Sequence, residues 1–353
     1  MTLHSIINKQ IISENDFKTI ISDKSSEDIE LLAQRSNQIT EARFGKKIQL
    51  YVPLYLSNVC LNDCSYCGFR VSNKYERSRL SLEEAVEEAK LLHSYGFRHI
   101  LLVAGEDRNY ITIDYLKQLG NKLSTLYPSI SIEIEPLKSE GYREMVSSGI
   151  EGVVSYQETY QKDIYQKVHL AGEKMDFQFR YDTADRAALN GMRRVGIGFL
   201  VGLADWRADA MELFRHLKNL INKHWQTDFT ISFPRLRYAE GADKEMFKEF
   251  GGKSHAVSDK EYVQLITAFR IAFPDTGIVL STRENEGFRN NLIRLGITNM
   301  SAGSKTEPGG YRQEQNKGKQ FEVEDKRTPF EVAESIKKNG YEPVWKDWET
   351  FMK

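Results

Sequence analysis

Leu50-Tyr-Val-Pro-Leu-Tyr-Leu56, followed closely by Cys60-Leu-Asn-Asp-Cys64-Ser-Tyr-Cys67-Gly-Phe69, is the stretch on which the reading of this chain turns. The first part is an apolar and aromatic run of strand length, ending near Asn58. The second part holds all three cysteines of a 353-residue chain, with three and then two residues between them. Cysteines kept for packing would scatter. Three thiols crowded into one loop match the need of an iron–sulfur cubane for three corners, leaving the fourth iron open to a small molecule. A partial zinc site completed by a distant histidine is the competing reading. Zinc ligands usually come from closer pairs, and the histidine nearest to Cys67 in sequence is His93.

Outward from this stretch, strand-like and helix-like segments alternate. Ser81-Leu-Glu-Glu84 is a capping box opening a helix that Gly96 stops, and His99-Ile-Leu-Leu-Val-Ala104 is a buried-strand run. Further strands are expected at 130–134, 152–156, 194–200, 228–233, 277–281 and 297–301. Between them, helices are expected at 115–126, 139–148, 161–168, 176–190, 207–223, from the capping box Ser258-x-x-Glu261 onward, and at 286–295. Eight strands with intervening helices over about 250 residues predict an α/β fold, a single (β/α)8 TIM-type barrel. An open doubly wound sheet is the runner-up. Residues 1–45 read as polar helices forming a lid or N-terminal cap, residues 46–303 as the barrel, and 304–353 as a C-terminal extension packed on it. In that extension Thr328-Pro329-Phe330-Glu331 opens a helix reaching about Asn339, and a tail with Trp345 and Trp348 is expected to fold back.

Composition narrows the function. Lys plus Arg number 49 against 50 Asp plus Glu, a net charge of −1, so no nucleic-acid partner is expected. No apolar run approaches the roughly 18 residues of a membrane span. The N-terminus lacks the apolar core of a signal peptide, and three unpaired cysteines suit a reducing compartment, so the expected location is cytoplasmic.

In a parallel barrel the chemistry sits at the C-terminal ends of the strands. The cysteine loop follows the first strand. Gly105-Glu106 follows the second, where a glycine lets the backbone approach a ligand and a carboxylate can receive an ammonium group. Gln157-Glu158-Thr159-Tyr160 follows the fourth, although each of these residues could equally cap a helix. Thr282-Arg283-Glu284 follows the seventh, and Ser301-Ala-Gly-Ser304 ends the eighth. Arg283 can clamp a carboxylate with two parallel bonds, or spend its charge on Glu284 or Glu286. The seven histidines do not cluster, and His216 and His224 read as structural.

Cys60-x3-Cys64-x2-Cys67 with Gly68-Phe69 resembles the radical S-adenosylmethionine enzymes. Val103-Ala-Gly-Glu106, Tyr156-Gln-Glu-Thr-Tyr160, Ser232-Phe-Pro-Arg-Leu-Arg237, Leu280-Ser-Thr-Arg-Glu284, Ser304-Lys-Thr-x-Pro-Gly-Gly-Tyr311 and Pro343-Val-Trp-Lys-Asp-Trp348 resemble, more narrowly, the tyrosine lyases of thiamine biosynthesis. The resemblance implies a [4Fe–4S] cluster on Cys60, Cys64 and Cys67, with S-adenosylmethionine on the open iron. It implies cleavage of the Cα–Cβ bond of L-tyrosine to 2-iminoacetate and p-cresol, with methionine and 5′-deoxyadenosine as co-products. By the same resemblance Glu106 holds the methionyl ammonium, and Tyr66, Gly105, Glu158 and Arg180 help seat the cofactor. Arg283 and Ser301 bind the substrate carboxylate and Tyr55 lines its pocket. An external one-electron reductant of flavodoxin or ferredoxin type and a thiazole synthase that takes the imine are implied partners. A tryptophan lyase is the nearest alternative. Relatives with a second cluster need further cysteines, and Cys67 is the last one here.

Overall fold

Most residues of the first eight strands are buried, and each of these strands is followed in the chain by at least one helix. The computed structural model describes residues 2–248, 255–313 and 318–346. Among them nine strands form: β1 Lys47–Ser57, β2 His99–Ala104, β3 Ser129–Glu133, β4 Gly152–Val154, β5 Arg194–Gly198, β6 Asp228–Ser232, β7 Gly277–Leu280, β8 Asn299–Ser301 and β9 Glu342–Val344. The first eight pair in parallel in chain order, and β1 pairs with both β2 and β8. That double pairing closes the ring and rules out the open sheet. Strand β9, which the sequence does not announce, adds in parallel to the start of β1 through Lys47↔Glu342.

The inside of the ring departs from the usual packed barrel, whose layers are bulky and branched. Gln49, Tyr51, Pro53 and Tyr55 of β1, Ser131 and Glu133 of β3, Thr230 and Ser232 of β6, and Asn299 and Ser301 of β8 line two internal cavities. Side chains this small or polar do not fill the interior. The deeper cavity holds about 580 Å³ and the one at the C-terminal mouth about 910 Å³.

The outer layer is built from capped helices. Ser81, Ser258 and Thr328 each accept from the backbone N–H three residues on, and Glu84, Glu261 and Glu331 reach back in complete capping boxes. The N-terminal helices Glu14–Ile21 and Ser26–Phe44 pack on this layer rather than forming a lid. Phe17, fully buried, stacks on Phe214 at 4.6 Å and meets Phe269 edge-on at 5.0 Å. Burying that ring is worth about 2–3 kcal/mol. The helix expected at 176–190 divides into Phe177–Tyr181 and Thr183–Leu189. The Phe179 carbonyl is diverted from the helical ladder to Arg186 Nη2 (3.0 Å) and Thr183 Oγ1 (3.2 Å). The helix Pro329–Lys338 follows its Thr328 cap, and the Trp345 ring lies 5.2 Å from Phe97. Trp348 lies outside the described residues.

Candidate active site

The segment from Val59 to Phe69 has almost no regular structure, so its backbone groups must find partners outside it. They do. Leu61 N donates to Glu106 O at 3.0 Å, Ser65 N to Val168 O at 2.9 Å, and Asp63 exchanges bonds with Leu170 and Ala171. Arg77 ties the loop's exit by donating to the carbonyls of Asn58, Phe69 and Arg70 at 2.6–2.8 Å. Gly105 backs directly against the loop: a Cβ there would stand 2.2 Å from Val59 O and 3.1 Å from Cys60 Cβ. The glycine therefore lets the exit of β2 approach the cysteine loop closely.

Cys64 is buried, Cys60 and Cys67 are partly exposed, and Cys67 lines the mouth cavity. Burial raises all three thiols, Cys67 to about 11. Thiols in such a place become thiolates when a metal replaces their protons. Three soft donors, held on a loop braced by backbone bonds and open to a cavity on one side, fit an iron–sulfur cluster. A closed zinc site does not fit. His169, paired to Cys64 across a β-bridge, spends both ring nitrogens: Nδ1 donates to Tyr165 O (2.8 Å) and Nε2 accepts from the Tyr66 hydroxyl (2.9 Å).

Beside the loop, two buried ion pairs flank the mouth. Arg180 Nη2 holds Glu106 Oε1 at 2.7 Å, and Lys174 Nζ holds Glu158 Oε1 at 2.7 Å. Burial alone would lower the pKa of Arg180 and Lys174, but the facing carboxylates outweigh it and raise both. Glu158 is the one non-glycine with positive φ among the described residues, at +68°. A left-handed backbone on such a residue costs about 1–3 kcal/mol and persists where the surroundings impose it. Here Leu200 N binds the Glu158 carbonyl at 2.8 Å, and Glu158 bridges to Phe199.

On the far side stands Arg283. The alternative of a local ion pair is not realised: Glu284 is taken by Arg235 and Arg237, and Glu286 by Arg327. The Arg283 guanidinium instead lies 3.5 Å over the Phe321 ring and has no ion-pair partner among the described residues. Burial pushes its pKa down. The Ser301 hydroxyl is buried without a well-formed hydrogen bond, and so is that of Ser304. Burial, reinforced by Glu133, pushes the Tyr51 phenol up to about 12; nearby Ser301 offsets this slightly, but the pair lacks good hydrogen-bond geometry. Tyr55 donates to Gln320 Oε1 at 2.7 Å, while Gln320 O accepts from Gly68 N at 3.0 Å. Residues 318–321 thus close the mouth between the cysteine loop and Arg283.

Comparison with known proteins agrees with this layout. Residues 54–217 match the family described as the radical SAM superfamily, and residues 232–342 match the biotin and thiamin synthesis associated domain. The chain is 39% identical to the 2-iminoacetate synthase of Salmonella typhimurium over 98% of this chain and 90% of that protein. The corresponding figures for the Escherichia coli 2-iminoacetate synthase are 38%, 98% and 90%. The chain belongs to the 2-iminoacetate synthase family. Among solved structures, HydG, a maturase of the [FeFe]-hydrogenase, aligns with a TM-score of 0.90 and 32% identity, covering 98% of this chain and 75% of that one. Methylornithine synthase (PylB) shares the fold, with a TM-score of 0.76 at 21% identity over 97% of both chains. Enzymes of the radical SAM superfamily use a [4Fe–4S] cluster and S-adenosylmethionine.

Of the residues singled out from sequence, Tyr55, Tyr66, Cys67, Glu158, Arg283 and Ser301 all line the one mouth cavity. Cys60 and Cys64 lie on the loop beside it, Gly105 and Glu106 brace that loop, and Arg180 reaches in through Glu106. Sequence reading missed Glu133, Lys174, Gln320 and Phe321, which also line the cavity. Only Glu133 carried a local signal. In Ser129-Ile-Ser-Ile-Glu133 polar residues alternate with apolar ones, marking a strand with one polar face. No helix among the described residues is long and apolar enough to cross a membrane.

Proposed function

We propose that this enzyme cleaves the Cα–Cβ bond of L-tyrosine to 2-iminoacetate and p-cresol, consuming S-adenosylmethionine and one electron. The observation that carries the reading is an arginine with no counter-ion beside an unsatisfied buried serine, facing a cavity whose other wall is the cysteine loop. A partly desolvated cation without a partner is costly, and a substrate carboxylate would supply that partner. Arg283 binds that carboxylate in bidentate fashion, held flat by Phe321, and Ser301 donates its idle hydroxyl to it.

Cys60, Cys64 and Cys67 hold the [4Fe–4S] cluster. When bound, cluster and S-adenosylmethionine together supply a carbon-centred radical able to take a hydrogen atom from the substrate. The chain's own residues position and protect. Glu106 uses only Oε1 toward Arg180, so Oε2 remains for the methionyl ammonium. Arg180 fixes that carboxylate, Tyr66 and the Glu158–Lys174 pair line the approach, and Tyr55 with Gln320 closes the roof against water. A thiazole-forming enzyme that consumes the unstable imine is the proposed partner, and the cytoplasm, where thiols stay reduced, is the proposed location. Anaerobic turnover with tyrosine, S-adenosylmethionine and a reductant tests the reading. p-Cresol is the expected product, and its absence from enzyme with a full cluster overturns the proposal.

A further inference from the structure

We infer that Glu133 is the residue that recognises the substrate phenol, accepting its O–H in a hydrogen bond and sharing its proton while the Cα–Cβ bond breaks. The inference rests on the tyrosine-lyase reading and deepens it.

Topology supplies the first argument. In a closed ring of eight strands in order, β3 stands opposite β7. Glu133 ends β3, and Arg283 follows β7, so the two side chains enter the same cavity from opposing walls. A substrate whose carboxylate is held by Arg283 and Ser301 keeps its α-amino group on that side, because both are bonded to Cα. Its ring then extends across the cavity, and the phenolic oxygen is the group that reaches the β3 wall.

The partner inventory supplies the second. The Glu133 side chain forms no ion pair and no hydrogen bond among the described residues, whereas Glu106 and Glu158, the other carboxylates at the mouth, are each held by a cation at 2.7 Å. Of the enzyme's own phenols in the cavity, Tyr55 is engaged with Gln320, and neither Tyr51 nor Tyr156 hydrogen-bonds to Glu133. Glu133 is therefore a carboxylate facing a cavity with an empty acceptor. Burial, reinforced by the Glu158 carboxylate and partly offset by the Arg283, Lys174 and Arg180 cations, raises its pKa to about 7. That value suits a group that takes and returns a proton near neutrality. The phenol proton is regained in p-cresol, so the sharing leaves no net proton change.

The test compares wild type with Glu133→Gln and Glu133→Asp. Equilibrium binding of tyrosine and of phenylalanine is measured on protein carrying its cluster and S-adenosylmethionine, with iron content and melting temperature as controls for folding. Glutamine keeps an acceptor oxygen but loses its charge, so Glu133→Gln should cut the tyrosine-over-phenylalanine preference by about five- to tenfold, with phenylalanine binding unchanged. Glu133→Asp should retain part of the preference. The rise of p-cresol formation through about pH 7 in wild type should be lost in Glu133→Gln, an effect that a purely structural role would not produce. An unchanged preference overturns the inference, and so does equal weakening of both amino acids, which would place Glu133 at the α-ammonium. Wild type that forms p-cresol while Glu133→Gln keeps its preference refutes only this inference. Wild type that forms no p-cresol refutes the tyrosine-lyase reading as well.

Discussion

Replacing Arg283 with leucine separates a binding residue from a structural one, because the structure predicts opposite outcomes for function and stability. The guanidinium is partly buried in the cavity wall, stacked 3.5 Å over Phe321, with no carboxylate partner among the described residues. Removing it forfeits a cation–π contact worth about 0.5–2 kcal/mol. It also relieves the desolvation of an unpaired charge, worth about 1–3 kcal/mol in mutational terms. These nearly cancel, so the melting temperature should move by a few degrees at most. Binding should behave differently. Hydrogen bonds to charged groups are worth about 1.5–3 kcal/mol, which at 1.4 kcal/mol per decade weakens tyrosine binding roughly 10- to 150-fold. Because the carboxylate is held equally in ground and transition states, KM should carry most of the change and kcat little. Arg283→Lys keeps the charge but loses the planar fork and the stacking, and should fall between, at about tenfold. The assays are tyrosine-dependent p-cresol formation and thermal unfolding. An unchanged KM, or a stability loss of several kcal/mol, would refute the assignment.

Other outcomes follow from the same geometry. Alanine at Cys60, Cys64 or Cys67 should abolish the [4Fe–4S] absorbance and the EPR signal of the reduced cluster while leaving far-UV circular dichroism unchanged, since none of the three is a disulfide. Gly105→Ala should disturb the loop, because its methyl would stand 2.2 Å from Val59 O; cluster occupancy after anaerobic reconstitution should fall. Arg289→Met should cost about 1–3 kcal/mol in a denaturant titration, since it removes one of the two arginines on the fully buried Asp325 carboxylate and leaves Arg327 to hold it. The Glu133 carboxyl, raised to about 7 when folded, binds its proton more tightly in the native state than in the unfolded one. Its contribution to stability is therefore present at low pH and lost as pH rises from the ordinary carboxylate range through about 7. Glu133→Gln should flatten that part of the stability profile measured by urea midpoints without cofactor.

The barrel was legible because its strands are short apolar runs separated by capped helices. His99–Ala104 matches its expected bounds, and three capping boxes form at the expected helix starts. The cysteine loop was legible because three thiols in eight positions have few other uses. What stayed hidden depends on distance in the chain. Gln320 lies in a polar irregular segment, and its role comes from meeting Tyr55, 265 residues away. Phe321 matters only because it docks under Arg283, and Lys174 only because its short turn is drawn to Glu158. Strand β9 has three residues and no pattern of its own; it forms by joining the start of β1. Arg283 itself showed a charge and a place, but the absence of a partner became visible only when Glu284 and Glu286 were seen to be committed to other arginines.

The central claim is that the cavity between the cysteine loop and Arg283 takes tyrosine and breaks its side chain away. The most direct measurement is product analysis of the reconstituted enzyme under anaerobic conditions, with tyrosine and tryptophan supplied side by side and 5′-deoxyadenosine quantified in each. The account predicts p-cresol and glyoxylate, the hydrolysis product of 2-iminoacetate, from tyrosine, in proportion to 5′-deoxyadenosine, and no cleavage of tryptophan. Cleavage of tryptophan with tyrosine left intact would contradict it.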